Sequence, residues 1–197
     1  MADILEFIRS RRSTRKYRPE LPPREVIEAV VEAGRYAPSG GNNQTTHFIV
    51  ITDRTVLDRL ADVVKEEFSK MEETPGMYAS LAGAIRASKR PFYHFHYDAP
   101  VLILTANRID YGNNMADCAC ALENMMLMAN ALDLGSCWIN QLKWLNENDA
   151  VTAALRPLGL REGERVYGAV AIGYADTESG LPERTPLPRK GNEVTWH

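Results

Sequence analysis

Several features are scarce or missing in this sequence of 197 residues, and each absence excludes a class of protein. Three cysteines, an odd number, do not form the paired framework of a small secreted protein and fit a reducing compartment. No apolar core follows the first residues, so we expect no secretory signal. The longest apolar stretch, around residues 115–132, is interrupted by acids and asparagines, which excludes a membrane span. The expected location is therefore the cytoplasm.

Familiar binding motifs are missing as well. No G-x-G-x-x-G follows a predicted strand, which leaves a Rossmann dinucleotide site unsupported, and there is no G-K-[ST] P-loop. Cys118-x-Cys120 lies in the most apolar predicted helix and is interpreted as packing rather than metal binding. His94-x-His96 lies among aromatic residues and is interpreted as a wet cleft edge. We therefore expect no metal ion.

What the sequence does have is a concentration of positive charge. Six cations and no acid lie in the ten residues Arg9–Arg18, called the basic island below. Because the chain has a net charge of −3, the other 187 residues carry −9. Arginine forks and the interleaved Ser13 and Thr14 hydroxyls suit a phosphate group. A solvated patch that complements the C-terminus of a preceding helix fits equally well. Nucleic-acid binding fits less well, because no basic stripe continues elsewhere.

Hydrophobic spacing predicts alternating helices and strands in one domain, residues 1–197. The predicted helices span 3–11, 23–36, 55–68, 114–133 and 146–155, and the predicted strands span 47–52, 100–106, 136–140 and 165–174. Asp3 is the expected N-cap of the first helix, and Gly135 the expected C′ glycine of the fourth. That fourth helix is apolar almost all round, so the core or a partner subunit must enclose it.

Two segments have no clean period. Residues 69–98 carry methionines and aromatic residues, and we expect a mobile helical flap or a cleft wall there. The tail, residues 175–197, is rich in proline, and so long an irregular stretch has a purpose or is disordered. We expect the tail to wrap another subunit, with Trp196 as an anchor.

Three further polar segments suggest ligand contacts. Ala37–Gln44 combines small residues with amides, which suits the hydrogen-bonding edge of a heteroaromatic ring, although an ordinary helix-to-strand loop has the same composition. Gly135–Leu142 ends a predicted strand with two amide side chains whose neighbouring backbone N–H groups can face a ring. Pro188–Lys190 supplies a second cationic group that can close a phosphate pocket.

Taken in order, these motifs resemble those of the nitroreductase-like flavoproteins. The matching stretches are Arg11–Tyr17, Ala37–Phe48, Gly135–Gln141, Gly168–Tyr174 and Pro188–Lys190, and together they span nearly the whole chain. The resemblance implies an α+β fold with a central, mostly antiparallel sheet flanked by helices. It also implies an intertwined homodimer that holds FMN at the subunit interface.

The resemblance further implies a set of FMN-binding residues. They are Arg11, Arg12, Ser13, Arg15, Pro38, Ser39, Gly40, Asn42, Gln44, Ile139, Asn140, Gln141 and Arg189. Arg11, Ser13 and Arg15 would hold the phosphate and ribityl chain, with Arg12 beside them, Arg189 closing over, and Arg15 also near the N1–C2=O edge. Pro38, Ser39, Gly40 and Asn42 would reach across from the other subunit, and the loop around residues 139–141 would present a donor to N5.

The implied activity is hydride transfer from NADH or NADPH, through flavin N5, to a nitroaromatic, quinone or related small acceptor, in a ping-pong cycle. The flavin carries the redox chemistry, so no catalytic side chain is named. Two departures from the family pattern stand out: Thr45-Thr46 replaces a frequent Pro-Trp, and Asn140-Gln141 stands where many relatives have glycines. The alternative function is a flavin-binding sensor or storage protein without turnover.

Overall fold

Helices and strands alternate along residues 3–197, the part of the chain that the computed structural model describes. Its α-helices are α1 (Ile4–Ser10), α2 (Arg24–Arg35), α3 (Arg54–Ser69), α4 (Ala79–Ser88), α5 (Asn114–Ala131), α6 (Gln141–Trp144) and α7 (Asp149–Leu155). Its strands are β1 (His47–Ile51), β2 (Val101–Arg108), β3 (Gly135–Ile139) and β4 (Glu164–Gly173). The first two residues, on which the expectation about a signal segment partly depends, lie outside the described residues.

The four strands form one sheet in the order β1-β2-β4-β3, and every neighbouring pair is antiparallel. Helices cover both faces, and alternate side chains of β2 therefore enter two different cores. Leu102 and Leu104 pack with residues of α3, α4 and α7, whereas Val101 and Ile103 pack with residues of α2 and α5. The predicted α+β fold with an antiparallel sheet flanked by helices is confirmed.

Most predicted elements exist with ends shifted by one to three residues, and Asp3 caps α1 by accepting a hydrogen bond from the Leu5 N–H at 3.0 Å. Residues 69–98, expected to form a mobile helical flap or a cleft wall, contain the regular helix α4. Two other predictions need correction. The short helix α6 was missed, and α7 begins only at Asp149, where the Asn148 side chain caps the Val151 N–H. The tail contains no helix or strand.

The position of Gly135 after the apolar stretch predicted that it ends a helix, and this prediction was wrong. Helix α5 ends at Ala131, and Asp133 takes the left-handed conformation with φ 60°. The Leu134 N–H then donates to the Ala129 carbonyl at 2.8 Å. Gly135 is instead the first residue of β3, where a Cβ would lie 2.7 Å from atoms of the Thr14 side chain. Its role is to let residues 13 and 14 approach β3 closely.

Gly135→Ala is expected to reduce the free energy of unfolding by about 1–3 kcal/mol, the usual cost of overpacking. The new methyl group meets Thr14, so residues 13 and 14 must move away from β3. Urea unfolding measures the loss. Gly112→Ala is the matched control, because a Cβ there meets nothing within 4 Å.

The double variant with Thr14→Gly separates this mechanism from a general intolerance of alanine at residue 135. Thr14→Gly removes all three atoms that the new Cβ would meet, so it should restore much of the lost stability. Equal stability of the Gly135→Ala and Gly112→Ala proteins would show that the close approach costs nothing.

Candidate functional site

The basic island leaves α1 and runs in extended conformation beside β3. Arg11, the residue after the helix, has φ −65° and ψ 122°, which turns the chain out of the helix. Ser13 then forms a parallel bridge with Ser136 of β3, and the Thr14 N–H donates to the Ser136 carbonyl at 2.9 Å. A second bridge joins Tyr17 to Ala175. These bonds hold the island against the sheet at a defined register.

Extended backbone sends successive side chains to opposite sides, and the island is divided accordingly. Ser13, Arg15 and Tyr17 line a large cavity, with Lys16 beside them. On the other side, Arg12 and Arg18 donate to main-chain carbonyl oxygens of the tail at 2.6 and 2.8 Å. One side of the island therefore faces a cavity, and the other fastens the tail.

The cavity has a volume of about 960 Å³, which is within the range of cofactor and ligand pockets. It brings together the basic island, the end of β3, the start of α6, helix α4 and the segment that follows α4. Its lining is rich in aromatic side chains: Tyr17, Phe92, Tyr93, Tyr97, Trp138 and Trp144. Flat walls of this kind suit a planar ligand.

Two amides project at the rim where β3 meets α6. The Trp138 indole N–H donates to Asn140 Oδ1 at 2.8 Å, and Gln141 Nε2 donates to the Tyr93 hydroxyl at 3.2 Å. Burial raises the pKa of Tyr93 to about 12, so its hydroxyl stays protonated at neutral pH. These contacts orient Asn140 and Gln141 and leave the Tyr93 O–H free to donate to a ligand.

Two arginines act on Cys137, which lines the cavity. Burial raises the pKa of the Cys137 thiol, and the nearby Arg15, Ser13 and Arg11 oppose that rise. Arg11 Nη1 is buried and has no hydrogen-bond partner within residues 3–197. A buried guanidinium N–H without an acceptor is costly, and an anionic ligand would satisfy it.

The second predicted segment lies elsewhere in the protomer. Pro38, Ser39, Asn42 and Gln44 line a separate cavity of about 490 Å³. Three residues of this segment adopt left-handed conformations: Gly41, Asn42 and Gln44, with φ of 60°, 56° and 53°. Left-handed backbone at two amide residues is uncommon and is retained where the surroundings enforce it. The structure does not bring this loop to the island within one chain.

A buried carboxylate, missed by the sequence analysis, anchors that loop. Asp117 on α5 accepts the Gly40 N–H at 3.1 Å and the Tyr111 hydroxyl at 2.9 Å. A Cβ at residue 40 would lie 2.0 Å from Asn113 Nδ2, so any side chain there would displace the Asn113 amide. An acid within the apolar residues 115–122 was the available signal, since a buried acid must find donors.

The other predicted site residues have simpler environments. The Ile139 side chain is 1% exposed inside the sheet's core, so only its backbone can meet a ligand. Arg189 lies exposed in the tail and is not part of the cavity lining. Of the thirteen predicted contacts, Ser13, Arg15, Asn140 and Gln141 meet at one cavity.

The segment after α4 forms a wall of the same cavity, as expected of a cleft wall, through Arg90, Tyr93, His94 and Tyr97. The Arg15 guanidinium carbon lies 5.9 Å from the centre of the Tyr97 ring, which joins this wall to the island. His96 was expected at a wet edge, and this was wrong: the side chain is fully buried. His94 alone of the pair lines the cavity.

All three cysteines are free thiols, and Cys118 is packed in the core, where burial raises its pKa to about 12. Within residues 3–197, no group of three or more His, Cys, Asp or Glu side chains is arranged to hold a metal ion. The helices of this part of the chain include none that is both long and apolar enough to cross a membrane.

Comparison with known proteins agrees with this geometry. A sequence profile described as "Nitroreductase family" matches residues 8–174. A protein of Archaeoglobus fulgidus that carries the provisional name NADH dehydrogenase/NAD(P)H nitroreductase is 30% identical over 93% of this chain and 91% of its own length. Iodotyrosine deiodinase 1 of Sus scrofa is 28% identical over 95% of this chain and 65% of its own length. A solved nitroreductase with bound FMN from Bacteroides fragilis is 33% identical, covers 100% of both chains and superposes with a TM-score of 0.87.

Proposed function

This chain belongs to the nitroreductase family, and from that premise we propose that it is an FMN-dependent oxidoreductase. It takes hydride from NADH or NADPH and passes it to a nitroaromatic, quinone or related acceptor in a ping-pong cycle. The observation that carries the proposal is the meeting of Ser13 and Arg15 with Asn140 and Gln141 at one aromatic-lined cavity. The Bacteroides fragilis relative, whose solved structure contains FMN, supports the choice of cofactor.

The residues around the cavity fit FMN. Arg11, whose buried Nη1 has no partner within residues 3–197, would bind the phosphate together with Ser13 and Arg15. Arg189 would close over the same group, whereas Arg12, predicted beside it, lies on the other side of the island and donates to the Thr185 carbonyl. A cation such as Arg15 beside the N1–C2=O edge would favour the anionic reduced ring.

The opposite end of the cavity would hold the isoalloxazine ring. The aromatic walls would pack on its faces, and the backbone of Ile139 with the amides of Asn140 and Gln141 would face N5. FMN supplies the hydride chemistry when bound, and the chain orients it and excludes water. No side chain of the cavity is needed as a nucleophile.

We also propose that two subunits complete each site. The loop residues Pro38, Ser39, Gly40, Asn42 and Gln44 would reach the cofactor of the other subunit, which is consistent with their separation from the island in one protomer. Helix α1 supports a partner, because its apolar residues Ile4, Leu5 and Ile8 are 74%, 49% and 46% exposed.

The tail supports the same arrangement. Trp196 is 89% exposed, and Leu187 and Val194 are also exposed, so residues 175–197 would wrap the partner as an extension of the single domain. Two apolar residues of α5, Met115 and Cys120, are exposed in the protomer, and the partner would cover them. A cytoplasmic location, which free thiols suit, belongs to the same proposal.

Nucleic-acid binding has less support than before, because three of the island's arginines have partners within the protomer. Arg9 forms an ion pair with Glu6 at 2.5 Å, and Arg12 and Arg18 donate to carbonyl oxygens of the tail. Arg15 and Lys16 line one cavity and do not form a stripe along which a phosphate backbone could lie.

The absorbance spectrum of the purified protein, followed by anaerobic mixing with NADH and NADPH, tests the function. A yellow protein that releases FMN on heating, and whose flavin is bleached by a reduced nicotinamide and restored by a nitroaromatic, is expected. Bound flavin that neither nucleotide bleaches would favour the sensor or storage function. A colourless protein that takes up no FMN would refute the proposal altogether.

A further inference from the structure

The wall of the cavity between α4 and β2 contains a histidine held by a carboxylate. His94 Nδ1 is hydrogen-bonded to Asp98 Oδ1, and the ring lines the cavity. Two consecutive residues, Tyr97 and Asp98, adopt left-handed backbone with φ of 57° and 59°. This turn brings Asp98 back towards the histidine four residues before it. Left-handed conformation at two successive non-glycine residues costs free energy and occurs mainly where surrounding contacts enforce it.

Arg54 on α3 fixes the carboxylate from the far side. Its Nη2 lies 2.7 Å from Asp98 Oδ1, and its Nε lies 2.9 Å from Asp58. Partial burial raises the pKa of Asp98, but the hydrogen bonds from His94 and Arg54 outweigh this and lower it. Asp98 therefore stays ionised and can only accept a hydrogen bond, so the proton of His94 resides on Nδ1. Nε2 is left as the ring nitrogen that Asp98 does not contact.

His96 lies beneath His94 without competing for the carboxylate. The two rings are stacked with centres 5.8 Å apart and planes 15° from parallel. Burial lowers the pKa of His96 to about 4, so it is neutral at pH 7. His94 thus has a neutral ring stacked on it and a carboxylate at Nδ1, and it lines the cavity.

We propose that His94 donates the proton that a nitro acceptor needs when it is reduced at this site, an inference that depends on the proposed function. A nitro group reduced to a nitroso group takes up two electrons and two protons and loses one oxygen as water. The hydride brings both electrons and one hydrogen, and His94 Nε2 brings the second. One N–O bond, the His94 Nε2–H bond and the bond that carried the hydride on the reduced cofactor would break, two O–H bonds would form in the departing water, and the cofactor would be left oxidised.

A positioned acid matters for this reaction because oxygen leaves readily as water and poorly as hydroxide. His94 then regains its proton from solvent, which its 34% exposed side chain can reach. Asp98 and Arg54 act through His94 as positioning residues, since Asp98 binds Nδ1 of the ring and Arg54 holds Asp98 in place.

Other charged and titratable groups surround His94. Its own segment contributes Arg90, Tyr93, His96, Tyr97 and Asp98, and α3 contributes Arg54 and Asp58. Arg15, Lys16 and Asp176 line the same cavity from the island and the tail. A variant is therefore compared with the native protein across a pH range rather than at a single pH.

The competing explanation of the pair between His94 and Asp98 is a purely structural role, because this ion pair also stabilises the segment that follows α4. His94→Gln distinguishes the two, since an amide can still donate to Asp98 but cannot deliver a proton. His47→Gln is the matched control: His47 pairs with Glu164 at 2.9 Å in the same way but does not line this cavity.

The experiment uses the FMN-loaded proteins and measures the two half-reactions separately in an anaerobic stopped-flow instrument. In His94→Gln, bleaching by NADH or NADPH should stay within about twofold of the native rate. Reoxidation by nitrofurazone at pH 7 should slow by about 100-fold, the scale of general acid catalysis. Reoxidation by ferricyanide, which needs no proton, should be unchanged.

The native rate with nitrofurazone should fall as pH rises, and His94→Gln should lose that dependence while His47→Gln retains it. Nitrogen NMR of labelled histidine should show neutral His94 protonated at Nδ1, and this signature should weaken in Asp98→Asn.

Equal slowing with nitrofurazone and ferricyanide would overturn the proposal in favour of a structural role, as would an Nε2–H tautomer. A native rate of nitrofurazone reoxidation in His94→Gln would overturn it too. A protein that binds no FMN, or whose flavin is never bleached, would instead refute the proposed function.

Discussion

Replacing Arg11 and Arg15 together by alanine is expected to leave a folded protein that binds FMN at least about 100-fold more weakly. Hydrogen bonds to charged groups contribute about 1.5–3 kcal/mol each, so two phosphate contacts correspond to about a 100- to 10,000-fold change in Kd. Arg15 lines the cavity, and Arg11 has a buried guanidinium N–H with no partner within residues 3–197. Titration of the apoprotein with FMN, followed by quenching of flavin fluorescence, measures the loss.

Arg9→Ala with Arg18→Ala is the matched control. It removes two positive charges from the same ten-residue window, but these arginines pair with Glu6 and with a tail carbonyl rather than facing the cavity. The control should change FMN affinity only slightly. Equal losses in the two double variants would indicate a general electrostatic effect, and retention of stoichiometric FMN by the first would refute the assigned site.

Lowering the pH from 7 to 5 is expected to remove about 2 kcal/mol of stability through His96 alone. Its pKa is lowered from 6.5 to about 4 in the folded protein because the ring is buried and neither nitrogen has a hydrogen-bond partner within residues 3–197. Between these values, the unfolded chain binds a proton that the folded chain does not. The stabilising contribution is therefore complete above pH 6.5 and is lost as pH falls towards 4.

Urea unfolding of the native protein and of His96→Leu across this pH range measures the effect. The variant lacks the titrating group, so its stability should fall less on acidification by about the same 2 kcal/mol. His197→Gln, a change at an exposed position, should leave the native pH dependence in place. Parallel curves for the native protein and His96→Leu would show that His96 titrates alike in both states.

Local patterns were sufficient for most of the architecture. The continuous apolar run of β2 and the apolar stripes of α2 and α3 are long enough to identify each element. Helix α4 was not predicted from periodicity, because Ala79–Ser88 consists mostly of small residues and is only weakly amphipathic. Its apolar face is therefore not distinct from the aromatic residues that follow it. Gly135 was misread because a glycine after a helix usually ends it, whereas here Asp133 takes that conformation.

The site was harder to predict where it depends on contacts between distant residues. The basic island could be recognised from composition, but its division into two sides follows from the bridge between Ser13 and Ser136, 123 positions apart in sequence. The hydrogen bond from the Gly40 N–H to Asp117 and the contact between Asp98 and His94 also depend on backbone geometry. Single-sequence periodicity carries no information on such pairings.

The extended course of the basic island has a consequence for the solubility of the protein. β3 is an edge strand, and an uncovered edge offers unpaired N–H and C=O groups to the strands of other molecules. The island occupies part of that edge through Ser13 and Thr14, and its dense like charge repels an approaching copy. The segment assigned to the phosphate thus also protects β3 from edge-to-edge aggregation. Changes that detach it from β3 would expose an unpaired strand edge and weaken the binding site.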